Sequence, residues 1–546
     1  MSRPLLSAPA IWRVAELLRG AVPPGDYGPV ILAFTVLRRL ELARGRPVAA
    51  LAAVARAADP QARLETLLAR LPAPVRDMMA QMDMGLLATR LARAGVLGAV
   101  AAHFAALDLS PALYGTQAMA RLFEELVHHF DHDRSTGAHY TPPEVTDLMT
   151  DLVFAPDAAG TRHALYDPAA GTGALLGRAA DRLAARDVAV DLFGQEISPR
   201  ASAICQADML LRGQKPARIH SGNTLAVDHH AGRHFARMLS NPPFGVDWRA
   251  IRPQVQAEHE AGPAGRFAPG LPRVADGSML FMLHLLAKMR SPAQGGARMG
   301  MATHGAALGG GGAESGESAI RRHLVAHDLI DTIIALPGDM FVNTGIATYV
   351  WIFDNSKPAR RRGMVRLVDA TGLWRRCVRS SGEKRREMTQ AHIATVKHAS
   401  MADTDMDLIM RPEADGGAAT WQTVAWDAPA TTGCDRDRVP LSRTVPGQDF
   451  LYRSLTVERT AREAGAASRT TFTVDMAQDP QAWFTRMIQP FDPTARLDMA
   501  RSTVGCAISF ARYFSVPPTP RPLRVIEDDL RRSMAQLAAL MPGAGG

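Results

Sequence analysis

A run of alternating strand and helix patterns, which begins near residue 163, constrains the fold more than any other feature of this chain. Short apolar runs bounded by turn residues predict strands, and longer runs with apolar residues at helical spacing predict helices. The predicted strands lie near residues 163–167, 190–196, 217–221, 234–240, 297–303, 329–335 and 347–353, and the predicted helices near 174–186, 198–212, 277–290 and 316–327. This order predicts an α/β fold with a parallel sheet and helices on both faces.

The rest of the chain is arranged around that sheet. A length of 546 residues allows three or so domains. Residues 1–130 repeat apolar side chains at helical spacing and predict an N-terminal helical domain, and residues 131–398 are the predicted α/β domain. Residues 399–447, with many Thr and Asp, predict a loop-rich insertion. Residues 448–546 are a predicted C-terminal region that ends in a helix with an apolar stripe.

Charge and composition indicate the partner and the setting. A formal net charge of +8 and a pI near 9.6 fit a nucleic-acid partner. The four cysteines form no CxxC pair, which predicts a reducing, cytoplasmic setting. No apolar run reaches membrane-spanning length, so we expect a soluble protein. The histidines at 128, 129 and 132 have no carboxylate or cysteine at ligand spacing, and no metal site is predicted.

Polar or glycine-rich segments follow four consecutive predicted strands. Residues 167–173 read Asp-Pro-Ala-Ala-Gly-Thr-Gly, and such glycines let a ligand approach bare backbone at a helix N-terminus. Glu196 ends the second strand, where a carboxylate can accept hydrogen bonds from ribose hydroxyls. Asn223 follows the third strand and Asn241 the fourth. These strand ends are expected to share one crevice. Because the loop is neither GxGxxG nor followed by GKS/T, neither a dinucleotide nor a nucleoside triphosphate is favoured.

The segment Asn241-Pro242-Pro243-Phe244 carries the most specific chemistry. An exocyclic amine on a purine is a poor nucleophile because its lone pair is delocalised into the ring. The side-chain carbonyl of Asn241 and the backbone carbonyl of Pro242 can each accept one N–H, which localises the lone pair during attack. Pro243 stiffens the turn, and Phe244 can stack on a base removed from its helix. An ordinary turn can have the same residues. An ordinary turn would not, however, predict the polar or glycine-rich segments that follow the three preceding strands.

A glycine-led loop at residues 137–144 precedes the sheet. Thr141 is predicted as the N-cap of a helix, with Pro142 at the first helical position and Glu144 completing a capping box. The segment has two readings: a well-capped helix, or a loop whose backbone and Thr141 close over a ligand.

The order of these segments resembles the γ-type arrangement of adenosylmethionine-dependent amino-methyltransferases. More closely, the chain resembles the modification (methyltransferase) subunits of type I restriction–modification systems. The similarity covers most of the chain and includes residues 11–20, 27–40, 265–267, 276–278, 316–322, 335–348, 384–387, 452–459 and 512–523. The resemblance implies a Rossmann-like class I methyltransferase sheet with an N-terminal helical domain and a C-terminal helical tail.

Carried over position by position, the resemblance implies direct methyl transfer from S-adenosylmethionine to N6 of adenine in DNA, without a metal. Asn241 and Pro242, with Pro243 beside them, would hold the adenine amine. Phe244 would stack on the flipped base, and Phe341 would pack on its other side. The implied cofactor-binding residues are His139, Tyr140, Thr141, Pro142, Asp167, Ala169, Gly171, Thr172, Gly173, Glu196, Ile197, Asn223 and Thr224.

The resemblance also implies partners. These are double-stranded DNA, a separate specificity (S) subunit that reads the sequence, a second copy of this chain in an M2S complex and, in some systems, a nuclease (restriction) subunit. The apolar stripe of the last helix either packs on its own domain or docks onto helices of the S subunit. The clusters Arg360–Arg362 and Lys384–Arg386 either contact DNA phosphates or form a solvated charged face.

Three segments depart from the family pattern. Asn223 replaces the usual acidic residue near the cofactor's adenine, from which we expect weaker cofactor binding. His139 replaces an aromatic Phe, and Gly505-Cys506-Ala507 replaces Gly-Tyr-Glu. The departures at Asn223 and His139 leave open a catalytically weak or inactive scaffold subunit that binds DNA and partners.

Other methyl acceptors are alternatives within the same chemistry. Methylation of N4 of cytosine stays open, although Asn at the first position of the motif favours adenine by resemblance. Protein glutamine and RNA amines are less favoured, because the helical N-terminal domain and the match after residue 300 argue against them. Methylation at C5 of cytosine needs a nucleophilic cysteine, and the chain has no Pro-Cys pair.

Overall fold

The N-terminal part of the chain is a helical bundle. The computed structural model describes residues 8–43, 50–130, 141–342, 344–411, 420–425, 438–459, 468–515 and 523–540. The bundle helices are α1 Ala8–Leu18, α2 Tyr27–Ala43, α3 Ala50–Arg56, α4 Pro60–Ala69, α5 Ala73–Gln81, α6 Met84–Arg93, α7 Leu97–Ala106 and α8 Thr116–Phe130. Their apolar residues form one core, in which Phe34 and Phe104 stack with ring centroids 5.4 Å apart. The expected helical N-terminal region is confirmed.

The rest of the described chain contains sixteen strands and eleven further helices. The strands are β1 Arg162–Asp167, β2 Ala189–Glu196, β3 Ile219–Ser221, β4 Arg237–Ser240, β5 Arg298–His304, β6 Ile330–Ala335, β7 Thr348–Asp354, β8 Met364–Asp369, β9 Arg375–Ser381, β10 Lys384–Glu387, β11 Met406–Arg411, β12 Thr420–Ala425, β13 Arg438–Pro446, β14 Leu451–Arg459, β15 Ser468–Asp475 and β16 Arg496–Cys506. The helices are α9 Pro143–Val153, α10 Ala174–Ala184, α11 Pro199–Leu211, α12 Arg252–Glu260, α13 Ser278–Ala287, α14 Ala306–Gly309, α15 Gly316–Ala326, α16 Gln390–Met401, α17 Pro480–Met487, α18 Ala511–Phe514 and α19 Leu523–Leu540.

Eleven strands form one sheet in the order β12-β11-β13-β8-β6-β7-β5-β4-β1-β2-β3. Strands β1 to β5 run parallel to one another, as expected. The expectation of a parallel sheet is wrong for β7, which runs antiparallel to both β5 and β6. The segment between β6 and β7, residues 336–347, contains no helix in its described part. It turns back beside β6, as antiparallel pairs permit and parallel crossovers do not.

Helices cover both faces of this sheet. Successive side chains of a strand point to opposite faces, and β1 shows the consequence. Leu165 packs in a core with residues of α9, α10 and α16, whereas Tyr166 packs in a second core with residues of α13 and α15. The α/β architecture with helices on two sides is therefore confirmed.

The region after α16 differs from the expected loop-rich insertion. Within residues 399–447 the chain adds β11, β12 and β13 to the large sheet, and β13 pairs antiparallel with β8. The loop-rich interpretation is wrong for these strands, whose stability comes from non-local pairing that composition does not encode. Residues 412–419 and 426–437 of that segment lie outside the described residues.

The C-terminal region contains more strand than its predicted helical tail implies. Strands β14, β15 and β16 form a separate antiparallel sheet, and Val457, Phe484, Ile488 and Ala495 form a small core beside it. The final helix α19 follows. Its apolar stripe is exposed, with 71% of Leu523, 59% of Leu530 and 63% of Met534 accessible to solvent.

Among the described helices, no single one is long and apolar enough to cross a membrane. Helices α6 and α7 meet the length and composition requirement only as a pair, with a bend of 113° between them. Their large apolar residues, such as Leu91 and Phe104, lie in the core of the N-terminal bundle.

Candidate active site

The ends of β1, β2, β3 and β4 meet at one edge of the sheet. Strand β1 pairs with both β2 and β4, and β3 pairs with β2, so the loops that follow these strands are neighbours. Side-chain hydrogen bonds connect them. Ser240 Oγ donates to Asp167 Oδ1 at 2.8 Å, the backbone N–H of Gly171 donates to Glu196 Oε2 at 2.9 Å, and Thr224 Oγ1 donates to the Pro168 carbonyl at 2.6 Å. The structure thus brings together the four segments that the strand-end pattern selected.

The loop after β1 exposes bare backbone at the start of α10. Gly173 is the N-cap of α10 with φ +92°, and a Cβ there would lie 2.9 Å from Sγ of Cys205. Gly171 has φ +55° and open space where a side chain would stand. Thr172 lies between them and is half-buried. A helix N-terminus with accessible N–H groups suits an anionic group.

Asp167 supports this loop from inside. Its Oδ1 accepts hydrogen bonds from the backbone N–H of Ala169, at 2.9 Å, and from the hydroxyl of Ser240. Complete burial raises the pKa of Asp167 to about 7, even though both hydrogen bonds oppose the increase, and the charge of Glu196 adds to it. This carboxyl group therefore titrates near neutral pH.

The ends of β2 and β3 supply polar groups on the other side of the loop. Glu196 is half-buried and accepts the N–H groups of Gly171 and Ser198. Ile197 beside it is 63% exposed. The side-chain oxygen of Asn223 accepts the N–H of Leu225 at 3.0 Å, so it closes its own turn.

Asn241 lies directly after β4, and only 6% of it is exposed. Its Nδ2 donates to Oγ1 of Thr141 at 3.0 Å. Its Oδ1 is buried and has no hydrogen-bond partner among the described residues. Buried polar atoms are nearly always paired, so an unpaired buried acceptor indicates a site for a donor. Pro242 is buried and Pro243 half-buried beside it.

The predicted capping box before α9 is wrong. The N-cap is Pro142, which has no side-chain cap, and Pro143 is the first helical residue. Thr141 stands one residue too early to cap the helix, and its hydroxyl accepts from Asn241 instead. Glu144 pairs with Nζ of Lys384 at 2.5 Å. His139 and Tyr140 lie outside the described residues, and their roles stay predictions.

The ring of Phe341 and the imidazole of His304 lie beside the half-buried Phe244. Its ring centroid lies 6.3 Å from that of Phe341, with 62° between the planes, and 5.6 Å from that of His304, with 86° between the planes. A base between two rings needs roughly 7 Å, twice the contact distance of two carbon atoms. Phe244 and Phe341 therefore contact each other, and a purine fits between them only after one ring turns.

His304 was missed in the sequence, although it ends β5 and so obeys the same strand-end rule. Its Nδ1 accepts the N–H of Ala306 at 3.1 Å, which leaves the proton on Nε2 to donate to Asp276 Oδ2 at 2.8 Å. Burial alone would raise the pKa of Asp276, but the hydrogen bonds from His304 and Ser278 hold it well below its ordinary value. The pair fixes the imidazole edge-on to Phe244.

Comparison with known proteins identifies the family. Residues 115–414, more than half of the chain, match the family described as N-6 DNA methylase. The chain belongs to the N-6 DNA methylase family. The expected resemblance is confirmed at this level.

This N-6 DNA methylase family member has relatives in type I restriction systems. It is 25% identical over 264 residues to the type I restriction enzyme MjaIX methylase subunit of Methanocaldococcus jannaschii, an alignment that covers 48% of this chain and 44% of the relative. It is 22% identical over 242 residues to the HindI methylase subunit of Haemophilus influenzae, covering 43% and 50%. The aligned region thus spans no more than half of these two curated relatives.

Solved structures share the fold. A type I restriction-modification system methyltransferase subunit from Streptococcus thermophilus superposes with a TM-score of 0.55 at 22% identity, covering 73% of this chain and 93% of that one. A chain from a study of complex assembly and conformational transition of the type I R-M system superposes with a TM-score of 0.54 at 17% identity, covering all of both chains. At these identities the likeness shows the fold, and the predicted methyltransferase sheet with its helical N-terminal region is confirmed.

Proposed function

We propose that this N-6 DNA methylase family member transfers the methyl group of S-adenosylmethionine to N6 of adenine in double-stranded DNA. The observation that carries the proposal is the buried, unpaired Oδ1 of Asn241 beside the glycine loop. Leaving a buried acceptor unpaired costs about 1–3 kcal/mol, which an amine N–H would offset. The acceptor also stabilises the charge that develops on the amine as it attacks.

The residues at the ends of β1 and β2 fit S-adenosylmethionine. Gly171 has open space beside its backbone at the start of α10, which suits the cofactor's carboxylate. Glu196 suits the ribose hydroxyls, and exposed Ile197 offers an apolar surface for the adenine. When bound, the cofactor supplies a methyl group on a positively charged sulfur. Asn241 and Pro242 orient the acceptor amine toward it, and Phe244 stacks on the everted base.

We propose the remaining predicted residues as supporting members of the cofactor site. Thr141 orients Asn241 through their hydrogen bond, and Asp167 holds the loop in place through Ala169. Thr224 ties the β3 loop to the backbone of Pro168. The remaining members of the proposed site are His139, Tyr140, Pro142, Thr172, Gly173 and Asn223, with Phe341 for the base and Pro243 in the turn.

We propose that the chain works as the modification subunit of a type I complex in the cytoplasm. The type I relatives support this assignment. An S subunit would supply sequence specificity, a second copy would complete M2S, and a nuclease subunit is an optional partner. The exposed stripe of α19, which includes Leu523, Leu530, Met534 and Leu537, favours docking on S-subunit helices over packing on its own domain.

Methyl transfer from tritiated cofactor into DNA tests the function. The chain is assayed with its S subunit, and the products are separated as nucleosides. N6-methyladenine is expected, and Asn241→Ala is expected to lower the rate by at least about 10²-fold, the usual effect of removing one polar group that stabilises the transition state. The affinity for S-adenosylmethionine should change little, because Asn241 is assigned to the base and not to the cofactor.

Other outcomes separate the alternatives. N4-methylcytosine would replace the adenine assignment, and unchanged transfer by the Asn241→Ala variant would refute the assigned site. The absence of transfer by the wild-type chain with its S subunit, with cofactor and DNA both bound, would establish a scaffold.

A further inference from the structure

A basic hairpin is bonded to the loop that carries Phe341. This hairpin comprises β9 and β10, and three backbone hydrogen bonds join it to that loop. The N–H of Glu383 donates to the carbonyl of Val342 at 2.7 Å, and the N–H groups of Arg385 and Arg386 donate to the carbonyl of Asp339 at 2.8 and 3.1 Å. The hairpin is thereby held next to the two rings of the candidate base site.

Close approach at the turn makes this docking specific. Gly382 has φ +54°, and a Cβ there would lie 2.4 Å from the carbonyl oxygen of Val342. Any side chain at this position would push the hairpin away from the loop. Backbone contacts therefore fix the position of the hairpin, so its side chains are not all needed for docking and can bind other groups.

Some of the hairpin's charges have structural partners. Lys384 is half-buried and pairs with Glu144 of α9, and Arg386 lies over the ring of Trp374 at 4.0 Å from its centroid. Arg375 pairs with Glu387 at 2.7 Å. These three cations stabilise the hairpin and its contacts with the rest of the protein. Within the Lys384–Arg386 cluster, Arg385 is therefore the residue that we assign to DNA phosphates.

Two exposed arginines of the hairpin have no acidic partner among the described residues. Arg376 is exposed, and the guanidinium of Arg385 contacts only backbone carbonyls, those of Gly382 and Lys384. Residues 374–387 contain six basic and two acidic residues, a formal net charge of +4. Such a surface attracts a polyanion.

The other arginine cluster lies at the opposite edge of the sheet. Strand β7 is antiparallel to β5, so its end, followed by Arg360 and Arg362, is on the side away from Asn241. Arg361 between them is buried and bonds Asp331, and Arg360 pairs with Asp403 at 2.7 Å. Strand β8 is parallel to β6 and delivers the hairpin to the same edge as the candidate active site.

We propose that the hairpin binds the DNA backbone beside the everted adenine, with Arg376 and Arg385 on phosphates. This rests on the proposed function, because a duplex with its base everted toward Phe244 keeps its backbone at the mouth of that site. Phosphate contacts set the position of the protein and carry no sequence information. The hairpin thus supplies binding that is independent of the S subunit's sequence choice.

The salt dependence of DNA binding tests this proposal. Affinity of the complete complex for cognate and non-cognate duplexes is measured by anisotropy at several salt concentrations. Each lost phosphate contact reduces the slope of log K against log salt by about 0.9. The variant Arg376→Gln/Arg385→Gln should lose about 1.8 from the slope for each copy of the chain that contacts the duplex, and it should bind both duplexes more weakly, by roughly 10-fold per contact near 0.1 M salt.

Matched variants complete the experiment. Arg360→Gln/Arg362→Gln removes the same charge at the far edge and should leave the slope unchanged, and Arg376→Lys/Arg385→Lys should retain it. An unchanged slope in the hairpin variant, or an equal loss in the far-edge variant, overturns the proposal. Failure of the proposed function is a different result, because the wild-type complex would then form no N6-methyladenine, whatever the hairpin binds.

Discussion

Two buried polar groups at the end of neighbouring strands differ in what they lack. Asn241 has an acceptor without a donor, whereas Asp167 has donors from Ala169 and Ser240 but lacks a positive charge to offset its burial. The unpaired oxygen of Asn241 can accept a hydrogen bond from an amine, and the carboxyl group of Asp167 would be stabilised in its charged form by a cofactor that carries positive charge. Each unmet interaction costs free energy, and a bound group of the matching kind would reduce that cost.

The raised pKa of Asp167 makes folding stability pH-dependent. With a pKa of about 7 when folded and 3.8 as its ordinary value, the folded state binds the extra proton between these limits. The contribution of this carboxyl group to the free energy of unfolding is therefore largest below about pH 4, and it is lost progressively as the pH rises through 7. Asp167→Asn removes the cost of a buried carboxyl group, so it should raise stability relative to wild type by at most about 4 kcal/mol at pH 8 and by at most about 2 kcal/mol at pH 5.

Thermal unfolding at the two pH values checks this expectation. Ser240→Ala is the opposing variant, because it removes a hydroxyl that stabilises the charged form. Its loss of stability should be larger at pH 8 than at pH 5. Equal effects of Asp167→Asn at both pH values would contradict a titrating carboxyl group.

At the scale of elements, the turn from β1 into α10 depends on close packing against α11. Gly173→Ala forces an alanine into φ +92° and toward Sγ of Cys205. We expect it to lower the free energy of unfolding by about 1–3 kcal/mol. Gly171→Ala, where φ is +55° and the space is open, is the matched control and should cost about 1–2 kcal/mol.

A double-mutant cycle isolates the steric part of that loss. Cys205→Ala removes the sulfur, so Gly173→Ala should cost less in its background than in the wild type. Denaturant unfolding of the four proteins measures the coupling. Additive effects would mean that the sulfur contact is irrelevant and that backbone strain accounts for the whole loss.

Elements were predictable where pattern and pairing are local. All seven predicted strands and four predicted helices exist with bounds close to those expected, and the strand-end rule placed Asp167, Glu196 and Asn241 at one edge. The rule also covers His304, which was overlooked because no motif marks it.

The sequence did not predict strands β11 to β13. A strand such as Arg438–Pro446, with prolines within it and at its end, is defined by pairing with its neighbours and not by its own residues. The misassigned cap at Thr141 is a shift of one residue, which a Pro-Pro pair makes ambiguous.

At the scale of the whole molecule, α11 joins the N-terminal bundle to the sheet. Ile204 and Leu211 pack in the bundle core, whereas Cys205 and Met209 pack in a core of the sheet. Arg212, which follows α11, completes the joint. Its guanidinium is buried and lies 2.7 Å from Asp208, 3.0 Å from Asp181 of α10 and 3.7 Å from Glu124 of α8.

Removing the Arg212 charge should therefore loosen both parts. Burial raises the pKa of Asp208 to about 6, and Arg212 opposes that increase. Arg212→Met leaves Asp208 buried without a partner, and breaking a buried pair in this way costs about 3–5 kcal/mol. Because Asp208 is then protonated more readily, the loss should be smaller at pH 5 than at pH 8.

Unfolding of Arg212→Met at the two pH values checks this result. Arg90→Met is the control, since Arg90 pairs with Asp26 at 2.7 Å while 44% exposed. Exposed ion pairs contribute about 0–1 kcal/mol. A comparable loss of stability in both variants would contradict the view that the buried ion pairs of Arg212 contribute more than an exposed pair.

The shared helix also limits how such proteins can be recombined. Ile204, Ala207 and Leu211 lie on α11, a helix of the α/β part, and side chains from the first 130 residues cover them. A fragment that lacks residues 1–130 would expose this apolar surface and should aggregate. A chimera that takes its first 130 residues from a relative would need side chains that pack against Ile204, Ala207 and Leu211. We therefore expect residues 1–130 and the α/β part to fold together and not as independent units.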